Sequence, residues 1–199
     1  NTDQNQTIFY ICFALSMFAV LGIAFSSNLF TFFLFYEALT LFTYPLVTHN
    51  KSSLAVKGGR IYLGVLLTTS ICFLLFGIIL IFQLSGTLDF ANGGILPLTL
   101  SNLEVTFLVV LFLLGIGKAA LFPFHFWLPS AMVAPTPVSA FLHAVAVVKA
   151  GVFGILKVAI YIFGLDYLAE YNIGNIITLM AGITIIYGSI KALKSNNLK

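Results

Sequence analysis

Four ionisable side chains stand inside stretches that are otherwise apolar: Glu37, Lys118, Lys149 and Lys157. A charge at the centre of a membrane helix costs about 2.5–3.5 kcal/mol on insertion scales, so such groups call for an explanation. Sequestered carboxylates and amines are suited to passing protons, and intramembrane ionisable groups mark ion or proton pathways by default. The plainer reading is a buried Glu–Lys pair that locks two helices together, although burying a pair seldom gains stability over apolar packing. Lys157 lies toward the end of its apolar run and is expected to snorkel. Glu37 is too short for that, and Lys118 and Lys149 lie too deep. For these three, pairing and hydration inside a helix bundle are expected.

Two histidines accompany them. His143 precedes Lys149 by six positions, about 240° around a regular helix, so the two do not share a face. A bridging water or a neighbouring helix is needed to connect them. His125 sits among Phe122, Phe124, Phe126 and Trp127. The latter group reads as an aromatic anchor at a helix end and a membrane interface.

The elements that position these residues follow from composition. Of 199 residues, 60% are hydrophobic, 15% aromatic and only 8% charged, with a mean hydropathy of +1.09. A soluble domain carries roughly 25% charge. The chain is therefore expected to be an all-α integral membrane protein, a polytopic helix bundle. Apolar runs long enough to span a bilayer number six: Ile8–Phe25, Leu29–Val47, Ile61–Leu84, Val105–Phe122, Val138–Phe163 and Ile173–Ala192. None shows the period-two alternation of a membrane barrel.

Loop charges orient the spans. Lys51, Lys57, Arg60, Lys191, Lys194 and Lys199 fall on one side, while Asp89, Glu104, Asp166 and Glu170 fall on the other. That asymmetry places both ends of the chain in the cytoplasm, with residues 85–102 as a surface loop on the outer face. The first residues, Asn1-Thr2-Asp3, read as the start of an internal fragment. Cys12 and Cys72, far apart in apolar runs, read as small buried hydrophobes rather than metal ligands. The net charge of +3 is too scattered for a nucleic-acid surface. No glycine-rich phosphate loop or metal or haem ligand set is present, so neither catalytic chemistry nor a cofactor is expected within this chain.

The fourth span carries a further signal. Gly115 and Gly117 precede Lys118, and Pro123 and Pro129 follow it. Pro123 lacks an N–H, so the carbonyl of Ala119 is expected to lose its helical partner. Helices broken in this way line the central sites of transporters. Beyond it, Ala134-Pro135-Thr136-Pro137 separates two helices, with Thr136 expected as N-cap and Pro137 as first helical residue.

Together these motifs resemble a known family. Lys118-Ala-Ala-Leu-Phe-Pro-Phe-His-Phe-Trp-Leu-Pro, Ala-Pro-Thr-Pro-Val-Ser-Ala, Leu-His-Ala and Val-Lys-Ala-Gly are similar to the proton-conducting antiporter-like membrane subunits, as is Tyr36-Glu37-Ala38-Leu39 with Tyr44-Pro45. That superfamily includes Mrp-type monovalent cation/proton antiporters and respiratory complex I. The resemblance implies two inverted repeats, each with a broken helix. The chain would hold the first, about residues 8–164, plus the first helix of the second, about 173–194. By position, Glu37, Lys118 and Lys149 match the family's proton-carrying residues, and His143 matches a histidine used in some members. Lys157 stands where an arginine is usual.

The resemblance thus implies a proton relay of Glu37, Lys118 and Lys149, with His143 and His125 as further relay candidates and Gly117 and Pro123 at the break. Burial disfavours a lysine's charged form and a nearby carboxylate favours it, so Lys118 could hold and release a proton as its pairing with Glu37 changes. Protons, Na⁺ or K⁺, companion membrane subunits and lipid are the implied partners, in the bacterial inner membrane. The wording around Glu37 and Lys149 is closer to the antiporter branch. The alternative is a proton-pumping subunit of NADH:quinone oxidoreductase.

Overall fold

The computed structural model describes residues 6–97, 99–171 and 173–195; Asp3 and Lys199 lie outside the described residues. It consists of helices α1 (Gln6–Phe25), α2 (Leu29–Val47), α3 (Ser53–Ser85), α4 (Asn102–Gly115), α5 (Trp127–Ala131), α6 (Thr136–Phe163), α7 (Leu165–Glu170) and α8 (Gly174–Leu193). Among the described residues the one extended pairing is an isolated bridge between Asn28 and Asp89.

Three helix starts carry side-chain caps. The Asn28 side chain accepts from Thr31 N at 2.7 Å, and Ser52 accepts from Ala55 N at 3.1 Å. Ser101 and Glu104 form a reciprocal capping box at the head of α4. At α6 the expected assignment shifts by one residue. Pro135 occupies the N-cap position, and Thr136 is already helical.

Among the described residues, five helices, α1, α2, α3, α6 and α8, are long and apolar enough to cross a membrane. The fourth expected span is the exception. Its α-helix stops at Gly115, well short of Phe122. Ile116 leaves helical geometry, Gly117–Ala119 make a single tight turn, and Ala120 is left-handed at φ 54°. Pro123 lies beyond this point, so the helix leaves regular geometry before the proline is reached.

Close packing marks the same place. Gly115 lies so close to α3 that a Cβ there would fall 2.5 Å from Leu74 N and 2.7 Å from Leu74 Cα. The facing stretch of α3, Ser70–Leu75, is a wide π-type turn, a feature often found at functional sites. Two further wide turns, Phe141–Val145 and Ala159–Phe163, interrupt α6.

Lys157 corrects an expectation. It is buried, and its Nζ donates to Ser26 O at 2.7 Å, Ser26 Oγ at 2.9 Å, Ala24 O at 3.1 Å and Ile23 O at 3.4 Å. The ammonium caps the C-terminal end of α1, where orphaned carbonyls and the helix dipole favour a cation. It does not need to snorkel. Cys72, in contrast, is exposed rather than buried.

The connector between α3 and α4 is more than a surface loop. Leu29 N donates to Leu88 O, Phe90 N to Ser27 O and Ile95 N to Ile162 O. Tyr167 and Tyr171 donate their hydroxyls to Pro97 O and Leu100 O. The segment thus straps α1, α2, α6 and α7 together at one end of the bundle. Lys51, Lys57, Arg60, Lys191 and Lys194 are exposed at the other.

Candidate functional site

The broken segment after α4 is held at bundle depth by side chains from separate helices. Its main-chain polar groups have left the helical ladder and need other partners in a lipid-surrounded interior. Lys118 N donates to Tyr36 Oη of α2 at 3.0 Å. Trp127 Nε1 of α5 donates to Gly117 O at 2.9 Å. Phe122 N donates to Thr184 Oγ1 of α8 at 3.0 Å. Trp127 is fully buried against Tyr62, so it is a bolt in the core rather than an interfacial anchor. Tyr62 in turn shares a 2.6 Å hydrogen bond with Thr43.

Lys118 has no exposed surface. Its Nζ sits 3.2 Å from the centroid of the Tyr36 ring, which stacks on Phe32. A desolvated cation over an aromatic face gains about 2 kcal/mol, against a burial penalty of several kcal/mol. The nearest carboxylate by sequence logic is Glu37, next to Tyr36 on α2. Lys118 Nζ lies over the ring of Tyr36, the residue that precedes Glu37 on α2. Glu37 and Lys118 form no hydrogen bond with each other, and among the described residues neither Lys118 Nζ nor the buried Glu37 oxygens have a hydrogen-bond partner. The two charges are therefore brought to one region, with the Tyr36 ring beneath the ammonium, and are not locked as a contact pair.

The other expected residues divide. His143 is half-buried in the wide turn of α6, its Nε2 buried and without a protein hydrogen bond. His125 lies on the broken segment itself, 4.6 Å from the Tyr187 ring of α8 and stacked on Phe122. It is not at a helix-end interface. Lys149 is exposed on α6 and does not point into this bundle. The buried face of that helix runs instead through Ala146, Val147, Ala150, Gly151, Gly154, Lys157 and Val158. Gly151 meets the break directly: a Cβ there would fall 2.5 Å from the Lys118 carbonyl carbon.

Sequence reasoning did not single out Tyr36, Thr184, Tyr187 or Gly151. Tyr36 and Gly151 nevertheless stood inside motifs that carried the resemblance, beside Glu37 and close to Lys149.

Comparison with known proteins bears on this arrangement. Residues 26–199 match the model of the transmembrane family "NADH:quinone oxidoreductase/Mrp antiporter". The chain belongs to this family. A candidate antiporter subunit, mnhA2, of Staphylococcus haemolyticus is 34% identical over 198 residues, covering 98% of this chain and 24% of that protein. Its Staphylococcus aureus counterpart is also 34% identical. This chain thus spans about a quarter of the curated relatives' length.

Solved structures agree. The Mrp complex from Dietzia sp. superposes with a TM-score of 0.72 at 28% identity, over 82% of this chain and 18% of that one. Respiratory complex I from Thermus thermophilus gives 0.77 at 25% identity, over 96% and 40%. The archaeal membrane-bound sulfane sulfur reductase gives 0.79 at 25% identity, over 96% and 39%. The protein is therefore an antiporter-like membrane subunit of the Mrp/complex I type.

Proposed function

We propose that the chain is the proton-conducting part of an Mrp-type monovalent cation/proton antiporter subunit, exchanging Na⁺ or K⁺ for protons. The observation that carries the reading is Lys118: a fully buried amine on a broken helix, poised over Tyr36 beside Glu37 without a fixed ion-pair partner. An amine without a fixed ion-pair contact suits proton exchange, because no partner locks it in one state. Glu37 biases Lys118 toward the charged form when near and releases that bias when the break shifts. His143, with an open Nε2, provides an intermediate station, and His125 a second at the break. Lys149 faces outward, where it would hand the proton to further chain or a neighbouring subunit.

In this reading residues 8–164 form the first of two inverted repeats and α8 opens the second. Companion membrane subunits complete the assembly. The lysine- and arginine-bearing end faces the cytoplasm of a bacterial inner membrane, in keeping with the loop charges. The 34% identity to an antiporter subunit supports the antiporter branch over a complex I pump. The second branch is favoured by the broader superposition on complex I, over 96% of the chain.

Vesicles containing the complete complex test both. Glu37→Gln and Lys118→Ala are each expected to abolish proton movement, and normal transport by both variants would sink the relay. Addition of Na⁺ or K⁺ should dissipate an imposed pH gradient without NADH. A response only to NADH and quinone would move the chain to the pump branch.

A further inference from the structure

α8 touches the rest of the described chain along a single stripe. Ile177 and Met180 pack against the core, and Thr184 and Tyr187 are half-buried. Those positions recur at the three- and four-residue spacing that puts side chains on one helical face. No residue of α8 is fully buried, and Ile183, Ile185, Ile186 and Ile190 face outward.

The polar part of this narrow contact is concentrated on the break. Thr184 Oγ1 accepts from Phe122 N at 3.0 Å and donates to Met180 O at 2.7 Å. The hydroxyl therefore uses its proton within its own helix and presents a lone pair to the broken segment. Tyr187, one turn on, packs its ring against Phe122 and His125, with centroids 5.5 and 4.6 Å away. Phe122 lies four positions after Lys118, beyond the left-handed Ala120. Without Thr184, the Phe122 N–H at this depth has no helical carbonyl to bond.

We infer that Thr184 is a positioning residue: its hydroxyl fixes the backbone of the break at Phe122, so that α8 and the Lys118 segment move as one unit. Displacement of α8 is thereby transmitted to the geometry of Lys118 over Tyr36. This coupling rests on the proposed relay for its functional meaning, but the clamp is a property of the fold alone.

The test uses the full-length protein in its membrane complex, with two readouts. Thr184→Val removes the acceptor at nearly constant shape. Amide exchange across residues 116–126 is expected to rise about fivefold, the factor an ordinary net hydrogen bond carries. Proton transport is expected to fall by about tenfold or more, as for misplacement of a reacting group. Thr184→Ser, which keeps the hydroxyl, should restore both. If Thr184→Val does not assemble, Thr184→Ala gives the same readouts. Unchanged exchange overturns the clamp. Raised exchange with unchanged transport overturns the coupling, provided Lys118→Ala still abolishes transport. Normal transport by Lys118→Ala refutes the relay reading, and the clamp then stands or falls on exchange alone.

Discussion

Gly151→Ala places one methyl group where α6 crosses the broken segment. The new Cβ would lie 2.5 Å from the Lys118 carbonyl carbon and 2.7 Å from Ala119 Cα, against ordinary contact distances of 3.4–4 Å. Both obstacles are main chain, so no side-chain rotation relieves them. α6 or the break must retreat by about 1 Å. Overpacking of this kind costs about 1–3 kcal/mol, which outweighs the roughly 0.5–1 kcal/mol that alanine gains over glycine within a helix. Misplacement of a reacting group by that distance costs up to about 10²-fold in rate. The assay is dissipation of a pH gradient in vesicles holding the complete complex, together with thermal unfolding in detergent. Gly64→Ala is the control, since nothing lies within 4 Å of its Cβ position; it should be neutral in transport and slightly stabilising. Parent-like transport and stability in Gly151→Ala would refute the claim that α6 sets the position of Lys118.

Two further outcomes follow from groups away from the break. Lys157→Met leaves the carbonyls at the end of α1 without their cation and should destabilise by about 2 kcal/mol, with Lys157→Arg losing less; equal unfolding temperatures for parent and Met variant would contradict the capping role. Glu104, exposed outside the spans, is held below its usual pKa by the side chain and N–H of Ser101. Its cap therefore contributes above the ordinary carboxylate pKa and is lost as pH falls through the lowered folded value, so Glu104→Gln should flatten the acid limb of the thermal-stability profile.

What could be read from the sequence was whatever depends on long averages. Spans of apolar residues are set by the thickness of a bilayer, and most expected helices appear close to their expected bounds. The buried ionisable groups Glu37 and Lys118 were legible for the same reason, because a charge in lipid stands out without any knowledge of its neighbours. What could not be read depends on close tertiary packing. The helix ends at Gly115, before Pro123 is reached and where α3 packs closely. Lys157 meets the end of α1, more than a hundred residues earlier, and no local pattern announces that meeting. Lys149 was expected inside the bundle, but the buried face of α6 runs through its glycines and alanines. The regular-helix angle between His143 and Lys149 also fails to apply, since the wide turn at Phe141–Val145 changes the rotation between them.

The main-chain groups of Gly117, Lys118 and Phe122 are satisfied by an indole, a phenol and a hydroxyl on three different helices. This division of labour suggests a discriminating signature for related chains. A relative that keeps the carboxylate and the lysine but replaces the residues at 36, 127 and 184 by aliphatics would have no external donors and acceptors for an interrupted backbone. Such a chain is expected to repack its interrupted segment and to carry its lysine as an inert structural charge. Whether an antiporter-like sequence conducts should thus be legible in three uncharged side chains as much as in its acids and bases.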